Sequence, residues 1–138
     1  MTATNVKPAG TQESEVAALE ARYSVKLPGA FRTYLLTTAP SDRWVHDADI
    51  VGWWNAGEIK SIRDEYEPTP LNTALAENPD TYLIFADHCM WCWAWAIDCG
   101  DGDHRGRIAV LNGLNDRFVA NSFDAFIDLY IADPNTVA

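Results

Sequence analysis

Residues 91–97 alternate strictly, with Trp91, Trp93, Trp95 and Ile97 interleaved with Cys92, Ala94 and Ala96. A period of two sends successive side chains to opposite faces of an extended strand. One face is therefore expected to carry three indoles and an isoleucine, and the other only small side chains. The two faces need different neighbours. Each indole can bury on the order of 200 Å² but wants a partner for its N–H, whereas alanines let a covering element approach closely. The aromatic face is read as core lying beneath helices, with a ligand or partner platform as the alternative.

The flanking sequence supplies the rest of a sheet. Residues 82–86, 107–112 and 117–120 read as further strands with short joins. Gly100, Gly102 and Gly106 make 99–106 a flexible reversal, and Asn112-Gly113 favours a tight turn. An antiparallel meander follows. Ser122 can cap a last helix in which Phe123, Phe126, Ile127, Tyr130 and Ile131 recur at i, i+3, i+4, i+7 and i+8.

The first half has helical period instead. From Thr11, Val16, Leu19 and Tyr23 share a face, with Glu13 and Glu15 placed to favour the positive helix start. Pro28 suits the first residue of a second helix, whose stripe is Phe31, Tyr34 and Leu35 and which Pro40 ends. Residues 41–54 read as a loop feeding a short strand. Asn55 and Glu58 form a capping pattern for a third helix carrying Ile59, Ile62 and Tyr66. Pro68, Pro70 and Pro79 leave 67–81 mostly loop, with at most a turn or two of helix around 71–77. The predicted fold is α+β: a single domain with an antiparallel sheet of about four to five strands, two N-terminal helices, a middle helix and a C-terminal helix.

A chain of 138 residues has room for one core, expected to span residues 11–138 behind a loose tail at 1–10, and to fold without disulfides or metal. Ten Lys and Arg against 20 Asp and Glu give a net charge of −10. That balance argues against nucleic acid, whose phosphates need neutralising cations. The charge is uneven: residues 1–40 hold four basic and three acidic groups, and 41–138 hold six and 17. A cationic partner would meet the latter part. The start of the chain has no apolar leader and no run is long enough for a membrane helix. Together with three cysteines clustered in one region, this predicts a soluble cytoplasmic protein with reduced thiols.

Cys89, Cys92, Cys99 and His104 superficially suggest a zinc knuckle, which needs four converging ligands. An extended strand of roughly 3.3 Å per residue would hold Cys92 and Cys99 about 23 Å apart. Neither zinc nor redox chemistry is expected from these cysteines. Asp98, Asp101 and Asp103 resemble a calcium loop but lack its closing Glu. His46-Asp47, Asp87-His88 and Asp103-His104 are adjacencies without a nucleophile, and no phosphate loop or nucleophile elbow occurs. No enzyme, metal or cofactor is predicted.

Leu27-Pro28 followed by Phe31 and Tyr34, then Phe85-Ala86-Asp87 ahead of an aromatic strand, then Ser122-Phe123 with Phe126, occur in an order that resembles the SUKH superfamily (Smi/Knr-like) over roughly residues 15–131. Where many members have a glycine-rich stretch near the central hairpin, this chain has His88-Cys89-Met90-Trp91. The resemblance implies a protein-binding immunity protein that neutralises a cognate polymorphic toxin, often a nuclease or another toxic enzyme domain. A housekeeping interaction or regulatory module without a toxin partner is the alternative, and neighbouring genes discriminate the two. For a basic toxin, the expected contact surface is Asp47, Asp49, Asp64, Glu65 and Glu67, with Trp53 or Trp54 as an apolar anchor between them.

Overall fold

The computed structural model describes residues 12–40, 47, 49, 51–65, 75, 79–89, 91–112 and 116–138. Helix α1 (Glu13–Tyr23) places Glu13 and Glu15 in its first turn and buries Val16 and Leu19. It stops where Ser24 turns left-handed (φ 53°) and returns its N–H to the Ala21 carbonyl. Helix α2 (Gly29–Thr37) buries Phe31, Tyr34 and Leu35 as the spacing predicts. Pro28 is its N-cap rather than its first residue, and the helix ends three residues ahead of Pro40.

Strand β1 (Val51–Trp53) and strand β2 (Lys60–Ser61) line up along the same edge of the long strand β3 (Tyr82–His88). Between them the expected capping arrangement does form: the Asn55 side chain accepts from Glu58 N–H at 3.0 Å, and Glu58 accepts from Asn55 N–H at 3.3 Å. It closes a turn, not a helix. Lys60 and Ser61 pair with Ile84 and Leu83 of β3, so the sheet takes the segment that the cap would have wound. Among the described residues the middle helix, α3, covers Ile62–Glu65.

The second half runs as the predicted meander through β3, β4 (Trp93–Asp98), β5 (Ile108–Leu111) and β6 (Arg117–Ala120), all antiparallel, in the order β1-β3-β4-β5-β6 with β2 beside β3. Among the described residues the sheet thus holds six strand segments. A bulge between Ile84 and Ala86 turns Phe85 and Ala86 to the same side, and the freed Phe85 carbonyl accepts from Trp54 N–H at 2.9 Å. Ser122 caps helix α4 (Phe123–Ala132) through Ala125 N–H, and a 3-10 turn (Pro134–Val137) follows. The 99–106 reversal is tied by its own bonds: Arg105 donates to the Cys99 and Gly100 carbonyls, Asp98 accepts from Gly100 N–H, and Gly106 sits at φ 89°, which suits glycine.

The sheet is covered on both sides, which explains why β3 and β5 are buried almost without interruption. One face presents Leu83, Phe85, Trp95, Ile97, Ile108 and Val110 to α1, α2 and α4. The other carries Tyr82, Ile84, Ala94, Ala96, Ala109 and Leu111 against Ile62 of α3 and Leu75. Trp93, Trp95 and Ile97 share the first face, as the alternation predicts. Trp91 does not. It lies in the turn before β4 at φ 76° and packs against the second cluster. Cys89 in the same turn has φ 49°, so two residues with side chains take the backbone positions that glycine fills most easily.

No helix among the described residues is long and apolar enough to cross a membrane. The expected tail at 1–10, most of the 67–81 loop and the turn at Gly113 lie outside the described residues.

Candidate partner-binding surface

Asp47 is a fixed point of the interior. Its carboxylate accepts from the Trp53 indole at 2.8 Å, the Tyr130 hydroxyl at 2.6 Å, and the backbone N–H groups of Asp49 and Val51 at 2.9 and 3.0 Å. One side chain therefore joins the loop before β1, the strand itself and α4, 83 positions away in sequence. Burial, then the Asp47 hydrogen bond and the nearby charges of Asp47 and Asp49, push the Tyr130 phenol well above its ordinary range. Tyr34 is pushed up in the same way, by burial first and Asp47 second, and its hydroxyl has no hydrogen-bond partner among the described residues.

This placement separates the sequence-derived surface into two kinds of residue. Asp47 and Trp53 are inside, 8% and 1% exposed, and are corrected from contact residues to supports. An indole N–H held against a buried carboxylate satisfies both groups at once, which a loop reading could not foresee. Asp49, Asp64 and Glu65 are exposed and Trp54 is half-buried. Trp54 donates to Asp87 at 2.8 Å, and the other Asp87 oxygen accepts from Trp91 N–H at 2.9 Å. Glu67 lies outside the described residues.

The exposed carboxylates differ in how far the chain itself neutralises them. Asp64 accepts from Tyr23 at 2.7 Å and lies 3.9 Å from Arg22, and Glu65 is 3.4 Å from Lys60. Asp101, Asp103, Asp124 and Asp128 are also exposed, and none forms an ion pair with a described residue. Asp124 and Asp128 flank a groove between α2 and α4 whose opposite wall carries Thr33, Thr37 and Thr38. Sequence reasoning missed this pair because it treated α4 only as a core stripe. The i, i+4 spacing of two aspartates opposite that stripe was the available signal.

Among the described residues, no three His, Cys, Asp or Glu side chains gather as a metal centre would require. Asp98, part of the calcium-like pattern, is spent on the turn at Gly100. Cys92 is exposed and Cys99 is buried at opposite ends of β4.

Compared with known proteins, the sequence matches the profile of the SMI1 / KNR4 family (SUKH-1) over residues 10–129. No curated protein matches it. The matched span contains all three sets of residues on which the resemblance was drawn.

Proposed function

The chain belongs to the SMI1 / KNR4 family (SUKH-1), and from that membership we propose that it is a non-enzymatic protein-binding domain that neutralises a cognate toxin in the cytoplasm. The family match carries the reading. The surface supports the kind of partner: a net charge of −10, with exposed carboxylates that form no ion pair among the described residues, favours a basic protein such as a nuclease domain. Such charge speeds encounter and can cover a surface that would otherwise receive nucleic acid. Asp49, Trp54, Asp64, Glu65 and Glu67 are the proposed contact residues, and Asp103, Asp124 and Asp128 add to the field.

A toxin reading frame beside this gene, capture of its product by the tagged full chain and loss of the toxin's activity in the mixture are the expected results. Failure to bind at low salt, where charge attraction is strongest, would overturn the proposal.

A further inference from the structure

The three cysteines, from which the sequence leads to no expectation of redox chemistry, are unlike in the fold. Cys99 is buried, and burial pushes its thiol far above the ordinary range. Cys89 and Cys92 are both exposed and share the turn joining β3 to β4. That turn is closed by Cys92 N–H donating to the His88 carbonyl at 2.9 Å, and the Cys92 thiol donates to the Cys89 carbonyl at 3.3 Å. The sulfur of Cys92 therefore lies over the backbone of Cys89. An interaction with the Cys89 side chain is the first cause holding the exposed Cys92 thiol above its ordinary value. Neighbours keep the turn in this shape. Asp87 accepts from Trp91 N–H at 2.9 Å inside it, and at its base the His88 and Trp93 rings stack with centroids 4.1 Å apart.

We infer that Cys89 and Cys92 form a dithiol site that exchanges with small-molecule or protein disulfides to close a reversible disulfide across the hairpin turn. The inference is independent of the toxin-binding reading. In the first step the Cys89 thiolate attacks one sulfur of the disulfide reagent, forming a mixed disulfide and releasing one thiolate. Cys92, after losing its proton, then attacks the Cys89 sulfur and expels the second. The protein loses two electrons and two protons, and the reagent becomes two thiols. Because both protein sulfurs are held in one turn, the second step is intramolecular and outruns capture of a second reagent molecule.

The test uses the native full chain in glutathione buffers of graded oxidation, followed by acid quenching, alkylation and mass mapping. The expected product has lost two hydrogen atoms and is linked between Cys89 and Cys92, with Cys99 alkylated only after denaturation. Cys89→Ser and Cys92→Ser, both at exposed positions, should each accumulate one glutathione on the remaining surface thiol. Wild-type protein that instead carries two separate glutathiones, forms disulfide-linked dimers, or keeps all thiols free in fully oxidising buffer would overturn the inference.

Discussion

Asp47 and Tyr34 illustrate opposite outcomes for a polar group placed in an apolar interior. Asp47 accepts four hydrogen bonds, so Asp47→Ala removes the acceptor while leaving the Trp53 and Tyr130 donors buried. A loss of about 3 kcal/mol or more is expected in denaturant melts; a loss below about 1 kcal/mol would mean that water replaces the carboxylate. The Tyr34 hydroxyl has no partner among the described residues, so Tyr34→Phe should leave stability within about 0.5 kcal/mol or raise it. The pH dependence follows from the same burial. Cys99, Tyr34 and Tyr130 have folded-state values above their ordinary 9.0, 10.0 and 10.0. Above those values the unfolded chain gives up protons that the native protein keeps. The three groups therefore leave stability unaffected by pH below about 9 and reduce it progressively above. Denaturant midpoints measured from neutral to strongly alkaline pH would check the sign, and a rise above pH 10 would contradict it.

At the scale of elements, α4 was the most legible piece, because its cap and its stripe agree. Ser122 holds Ala125 N–H, and Phe123, Phe126 and Tyr130 are buried against the sheet. Phe126 lies at the centre, with Phe85, Trp95 and Tyr130 ring centroids 5.4, 5.6 and 6.2 Å away. Phe126→Ala is expected to cost about 3 to 5 kcal/mol, read from equilibrium unfolding. The middle helix was the least legible. Its signal was local and correct at Asn55 and Glu58, but strand pairing with Ile84 and Leu83 is a contact more than 20 positions away that no window around residue 60 contains. Trp91 failed for a related reason. Alternation continues through 91–97 in the sequence, yet the hairpin turn extends to Cys92 and strand geometry begins only at Trp93.

For the whole molecule, the acidic balance acts through its distribution. Reversing Asp103 and Asp128 to Lys removes carboxylates that no described cation offsets, and should slow association with a basic toxin about tenfold at low salt while flattening its salt dependence. The same reversal at Asp64 and Glu65 should matter less, because Arg22 and Lys60 already offset part of their field. Trp54→Ala should mainly speed dissociation, by roughly 30-fold if this indole is an anchor. Binding kinetics at two salt concentrations separate these effects, and an unchanged association rate after the Asp103 and Asp128 reversal would discard charge steering.

The α+β class, the meander of β3 to β6 and the burial of α1, α2 and α4 were legible in the sequence because each depends on local period: two in the strands, 3.6 in the helices. Family membership was legible because a few short motifs keep their order along the chain. What local pattern does not encode is which long-range partner a side chain meets. Asp47, exposed in any reading of its loop, became a buried acceptor only when α4 brought Tyr130 to it. The strand reading already set Cys99 apart from Cys92, but that Cys99 is buried while Cys89 and Cys92 share one exposed turn was decided only by the folded sheet. Burial and pairing are properties of the assembled sheet and its covering helices, and so the tertiary structure alone decided which acidic and sulfur groups face solvent.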